Sequence, residues 1–221
     1  MSRFFPFHAL GYRCNPFKAL TAEEWAAVAV IPAEVEQAVA TGMHIQVIGR
    51  RGRGKSTMLR ALADRLAAPY EYIPPGQHTF HTDPAVPPVF LLDEVQRLWP
   101  WERARLAAAA RHTRLIMGTH VTFVPDLAVR GQPLITLRLR DHDRDHYQRI
   151  IEKRLAYFAL PGAEPRLTLS ASAITALHAR FGDDLRAAMG HLYDLFQETR
   201  QPGAITDITS QKDRASQRSG S

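Results

Sequence analysis

Cysteine is nearly absent from this chain: Cys14 stands alone among 221 residues. One cysteine excludes an intrachain disulfide and a cysteine metal cluster, and it fits a reduced, cytoplasmic protein. Long apolar runs are missing as well. None approaches the roughly 20 residues of a membrane span, and the mean hydropathy is −0.23. The opening Met1-Ser2-Arg3-Phe4-Phe5-Pro6-Phe7 lacks the apolar segment and small-residue cleavage site of a secretory signal. Lysine is scarce: Lys18, Lys55, Lys153 and Lys212 are the four lysines among 28 basic residues, and the rest are arginines. Acidic residues number 22, so the formal net charge is +6. The excess is concentrated between Gln96 and Arg154, where twelve Arg or Lys face six Asp or Glu. Such a segment suits contact with a polyanion, or solvated helix faces in an arginine-rich protein.

Hydrophobic residues make up 45% of the chain, enough for a sizeable core. The length fits one α/β domain with a small appendage. The most informative stretch is Gly49-Arg50-Arg51-Gly52-Arg53-Gly54-Lys55-Ser56, which fits the phosphate-loop pattern G-x-x-x-x-G-K-[ST] at every fixed position. An apolar run, His44-Ile45-Gln46-Val47-Ile48, reads as a strand before it. Ser56 to Ala63 reads as a helix after it. Glycines let successive backbone N–H groups converge on one anion, and the helix adds the positive end of its dipole. Gly49, Arg50, Arg51, Gly52, Arg53, Gly54, Lys55, Ser56 and Thr57 are therefore the expected ATP-binding residues. Lys55 is placed to reach the β- and γ-phosphates, and Ser56 to ligate Mg²⁺.

A second motif is Val89-Phe90-Leu91-Leu92-Asp93-Glu94, an apolar run ending in two carboxylates. It describes a buried parallel strand with charge at its carboxyl end, where ligands sit in open α/β sheets. Asp93 is expected to hold Mg²⁺ opposite Ser56, either directly or through a ligand of the ion, and Glu94 is the expected base for the attacking water. The Asp-Glu pair favours hydrolysis over simple binding. A third strand, Leu115 to Gly118, ends in Thr119 and His120. Thr119 is the first candidate to contact the γ-phosphate or the water, and His120 the second.

Further strands are expected at Tyr70–Ile73 and Leu134–Leu139, and helices from Thr21 to Val28 and from Ala33 to Thr41. A loop is expected over Pro74–Pro88, and a helix from Glu102 to His112 behind Trp99-Pro100-Trp101. Alternating strands and helices predict a parallel sheet covered on both faces. From Asp141 the pattern turns helical, with breaks at Pro161-Gly162 and Gly182. The expected organisation is linker and helices over 1–43, a phosphate-loop ATPase core over 44–140, a helical lid over 141–200 and a disordered tail over 201–221. His78, His81 and Asp83, and the run Asp141 to His146, are set aside as metal sites, because capping and loop chemistry explain them better.

A phosphate loop, an Asp-Glu strand, a polar strand tip and a small all-α lid, in this order, resemble AAA+ ATPases. The resemblance spans about residues 10–200. It implies a sensor arginine at Arg186, in Gly182-Asp183-Asp184-Leu185-Arg186, that couples nucleotide state to the lid. It also implies an arginine finger offered to a neighbouring subunit; Arg130 is best placed, with Arg114 and Arg111 as alternatives. Asn15-Pro16-Phe17, Tyr147 to Leu155 and the Gly182–Arg186 turn look closest to the small bacterial ATPases of transposition and secretion, the TniB, TnsC and ExeA-like group. That group implies ATP-dependent homo-oligomers, as rings or filaments, on duplex DNA and a protein partner such as a transposase. Arg97, Arg103 and Arg105 are then candidate phosphate contacts, while Trp99 and Trp101 contact DNA or, on the preferred reading, pack their helix. The alternatives are an ATPase adaptor of a secretion or other protein assembly, and a non-hydrolysing nucleotide switch.

Overall fold

The computed structural model describes residues 7–50, 52–122, 133–139, 144–162, 164–182, 184–199 and 201–209. They fall into two compact units. One is formed by residues 22–140, the other by residues 1–21 together with 141–221. Residues 7–21 thus belong with the lid rather than with the helices that follow them.

In the unit 22–140, helices α1 (Ala22–Val28) and α2 (Ala33–Ala40) precede strand β1 (His44–Ile48). Thr41 caps α2, and Gly42 follows at φ +75°. Then come α3 (Lys55–Arg65), β2 (Tyr70–Tyr72), β3 (Val89–Asp93), α4 (Pro100–Ala109), β4 (Arg114–Thr119) and β5 (Leu134–Arg138). The five strands form one parallel sheet in the order β2-β3-β4-β1-β5. No regular element lies between Tyr72 and Val89.

Alternation along the strands explains why their sequences read as unbroken apolar runs. On β3, Phe90 and Leu92 enter a core with Leu106, Ala107, Leu115 and Met117. Leu91 points the other way, into a core with Val35, Ile45, Val47, Leu59, Leu62 and Ile116. Helix α4 covers the first face; α2 and α3 cover the second. With both faces buried, neither parity tolerates a charge until the strand ends, and at the end of β3 the charge is Asp93. Two polar residues are buried on β1: His44 accepts from the Leu115 N–H at 3.0 Å, and the Gln46 amide donates to Thr136 Oγ1 at 2.7 Å.

The lid unit holds α5 (Arg144–Phe158), α6 (Ala171–Phe181) and α7 (Leu185–Glu198). Ser170 and Asp184 cap α6 and α7 by accepting from the backbone N–H of Ala173 and Ala187. The lid also contains a parallel ladder, β6 (Leu167–Leu169) against β7 (Gly203–Ile205), so the ordered chain continues past residue 200 into the stretch expected to be a tail. The chain before α1 is fastened to this unit by polar anchors. Asn15 accepts from the Phe17 N–H at 2.9 Å and donates to the Tyr193 carbonyl at 2.9 Å. Arg154 donates to the carbonyls of Pro16 and Lys18. Tyr12, fully buried, donates to the Leu167 carbonyl at 2.6 Å, and burial pushes its phenol up to about 12. Asn15-Pro16-Phe17 is therefore the turn that seats the amino-terminal segment, with the Phe17 ring edge-on to Phe196. Among the described residues no helix is long and apolar enough to cross a membrane.

Candidate functional site

The carboxyl ends of β1, β3 and β4 bring the motif residues together. β1 ends at Ile48, and the Gly49 N–H donates to the Thr119 carbonyl at 3.2 Å, tying the loop to β4. Gly52 and Gly54 take left-handed φ of +88° and +73°, a conformation an L side chain resists. α3 begins directly at Lys55. The Lys55 ammonium is buried and donates to the Gly49 carbonyl at 2.6 Å and the Arg50 carbonyl at 3.1 Å. Burial holds its pKa below the ordinary lysine value, against the upward pull of Asp93 and Glu94. Arg50 is exposed, Arg53 donates to the Leu139 carbonyl at 2.9 Å, and Arg51 lies outside the described residues.

Asp93 is fully buried. Its Oδ2 accepts from Ser56 Oγ at 2.5 Å and from the Tyr70 hydroxyl at 3.3 Å, while Oδ1 accepts from the Glu94 N–H at 2.9 Å. Burial, and then the Asp93 charge, push the Tyr70 phenol upward, so it stays a donor. A hydroxyl and a carboxylate converging in this way form a hard oxygen donor set that fits Mg²⁺. The space around Asp93 is created by Gly118, which sits beside it in register. A Cβ at Gly118 would stand 2.2 Å from Asp93 Oδ1 and 2.6 Å from Leu59 Cδ1.

Glu94 is buried and stands at φ +64°, an uncommon conformation for a non-glycine residue. Its carboxylate has three partners. Gln96 Nε2 donates to Oε2 at 2.7 Å, Arg97 Nη2 pairs with Oε2 at 3.0 Å, and His120 Nε2 meets Oε1 at 3.1 Å. The other nitrogen of His120, Nδ1, lies 3.5 Å from Lys55 Nζ. An ammonium only donates, so Nδ1 is the acceptor, and Nε2 carries the hydrogen given to Glu94. His120 thus bridges the loop lysine and the carboxylate. Thr119 is fully buried, and its hydroxyl turns to the Val121 carbonyl at 2.8 Å. At the strand tip it is the second candidate, His120, whose side chain reaches Glu94.

Other expected residues are placed differently. Arg114 opens β4 at the amino end of the sheet, where it donates to the carbonyls of Ala38, Val39 and Met43. It terminates α2 inside its own subunit and is not available as a finger. Arg111 is exposed, and Arg130 lies outside the described residues. Arg186 is exposed on the first turn of α7. Arg103 folds back on the carbonyls of Gln96 and Leu98, and Arg97 serves Glu94 and the Ile73 carbonyl. Trp99 and Trp101, expected to pack their helix, are 44% and 62% exposed. Sequence reasoning missed Tyr70 and Gly118. A lone glycine inside an apolar strand is the signal that marks close approach, and Gly118 carried it.

A five-stranded parallel sheet in this order, a glycine loop leading into a helix, and a helical unit after it define the AAA+ P-loop NTPase fold. No protein-family model matches the sequence, and no curated protein matches it. Solved structures do match. The Thermotoga maritima RuvB Holliday junction branch migration motor superposes with a TM-score of 0.54 at 17% identity, over 85% of this chain and 65% of that one. A point mutant of the same motor gives 0.56 at 16% identity, over 89% and 71%. The Aeropyrum pernix ORC1 protein in complex with DNA gives 0.52 at 16% identity, over 89% and 68%. This chain spans just under two thirds of the RuvB motor's length. At these identities the likeness is one of fold.

Proposed function

We propose that this chain is an ATPase that binds ATP with Mg²⁺ at the Gly49–Thr57 loop, hydrolyses it to ADP and phosphate, and assembles in its ATP-bound form on duplex DNA. The observation that carries the reading is the Ser56–Asp93 contact of 2.5 Å, with the buried Glu94 carboxylate beside it. Lys55 exchanges its loop carbonyls for phosphate oxygens. Ser56 and Asp93 are the residues that would hold Mg²⁺, which would supply neutralisation of phosphate charge. Glu94 accepts the proton of the attacking water through Oε1, which it shares with His120, while Gln96 and Arg97 fix Oε2. Arg186 acts as the lid's sensor, and Arg130 as the finger for a neighbouring subunit. The similar structures include a branch migration motor and a protein in complex with DNA, and the basic stretch from Gln96 to Arg154 suits the same partner. The biological role we assign is that of a transposition-type regulator that recruits a protein such as a transposase.

Light scattering with ATP, with and without duplex DNA, tests the assembly. A species much larger than a subunit is expected with both, dissolving as salt rises. No growth under any combination contradicts the reading. Turnover and assembly indifferent to DNA would point instead to an adaptor of a protein machine.

The lowered Lys55 pKa sets a pH dependence. Phosphate binding requires the ammonium form, so affinity is full at neutral pH and falls as pH rises through the depressed value. MgATP affinity titrated toward alkaline pH should decline before the ordinary lysine value of 10.5 is reached. A flat profile up to that value would show that the ammonium is not the group bound.

A further inference from the structure

Three rings form a ladder on the surface of the unit 22–140. His78 lies against Trp99 at 4.5 Å between centroids, and Trp99 stacks on Trp101 at 5.2 Å with their planes 13° apart. Two indoles this exposed, side by side, are an unusual surface for a soluble domain. The catalytic arrangement uses neither of them.

The ladder is held rigidly. The Trp99 N–H donates to the His78 carbonyl at 3.0 Å, and His78 Nδ1 lies 2.6 Å from the Arg97 carbonyl. Pro100 opens α4, fixing the backbone between the two indoles. Guanidinium groups interleave with aromatic rings alongside. Arg97 lies 5.6 Å from the centroid of Tyr72, itself 37% exposed, and Arg105 lies 4.0 Å from that of Phe80. Arg105 pairs with Glu102 at 3.1 Å, and its side chain keeps 44% exposure. From Arg97 to His112 four arginines stand against one carboxylate, Glu102.

We propose that this ladder is a stacking platform for single-stranded DNA. A base stacks on the face of Trp101 turned away from Trp99, extending the ladder by a ring, and the half-exposed Arg105 meets a phosphate. Charge complementarity selects this occupant. An apolar peptide would gain from the indoles and not from the cations, and a duplex keeps its base faces inside the stack, where an indole cannot reach them. The inference rests on the nucleic-acid part of the function proposed above and adds a single-stranded contact to the duplex one.

Quenching of tryptophan emission by an oligothymidylate, beside a duplex of equal length, tests it on the full chain. Wild-type protein should bind the oligothymidylate, and Trp101→Ala should weaken that binding about tenfold. Trp101→Phe should restore most of it, and duplex binding and basal ATP turnover should not change. Equal affinity in Trp101→Ala overturns the inference, as does a wild-type chain that ignores the oligothymidylate. If that happens while ATP-dependent assembly on duplex persists, the platform is wrong and the proposed function stands. If neither nucleic acid binds, both fall. Loss of self-assembly in Trp101→Ala with single-strand binding intact would mark the ladder as a subunit contact and also overturns the inference.

Discussion

Replacing Glu94 by Gln should lower ATP turnover by about 10²–10⁴-fold while leaving nucleotide binding within a few-fold of wild type. The amide keeps the size of the side chain and, through its oxygen, the bonds from Gln96 and Arg97; its NH2 faces the His120 N–H, so that contact is lost, and it cannot take a proton from water. The two bonds that remain, at 2.7 and 3.0 Å, keep the variant seated. The left-handed backbone at Glu94 is a cost the fold bears at this one carboxylate. Turnover by single-turnover phosphate release and affinity by a fluorescent nucleotide separate the two effects. Unchanged turnover would remove Glu94 from the chemistry and favour a switch that binds without hydrolysing.

Gly118→Ala should damage both the site and the fold. The added methyl would lie 2.2 Å from Asp93 Oδ1, so the carboxylate must leave its bond to Ser56 or the strand must move. Leu59 closes the other side at 2.6 Å, and the fully buried Asp93 has little room to retreat. Overpacking of this kind costs about 1–3 kcal/mol, which at this chain length lowers the melting temperature by roughly 2–4 °C per kcal/mol. Metal-dependent nucleotide affinity and turnover should fall together, turnover by about tenfold or more, given that small misplacements at an active site cost about 10²-fold. Wild-type melting and wild-type metal dependence in this variant would show that the Asp93 position is not the one used.

Much of the core was legible because the physics is local there. The loop's glycines, the lysine and the hydroxyl carry their spacing in the sequence. β3 and β4 read as apolar runs because cores cover both of their faces. The residues that escaped are those whose roles depend on tertiary placement. Tyr70 pairs in register with Leu91, yet its hydroxyl reaches Asp93, a reach that strand periodicity does not encode. The choice between Thr119 and His120 is made by the turn after β4, where Val121 takes the threonine hydroxyl. The ladder of β6 and β7 joins three-residue segments across the whole of α6 and α7, too short to leave a pattern. The exposed tryptophans looked like core because aromatic residues usually are; only the packing shows that they are not. By its place in the sequence Arg114 is an alternative for the finger, and only the fold shows it beside the end of α2.

Every role proposed for this chain depends on its phosphate loop turning over ATP. Phosphate release from MgATP by the purified chain, with Lys55→Ala measured beside it and duplex DNA present and absent, tests that most directly. Steady release by the wild-type chain is expected, dependent on Mg²⁺ and abolished in Lys55→Ala. Release that survives Lys55→Ala, or a wild-type chain that neither binds nor cleaves ATP with or without DNA, would contradict it.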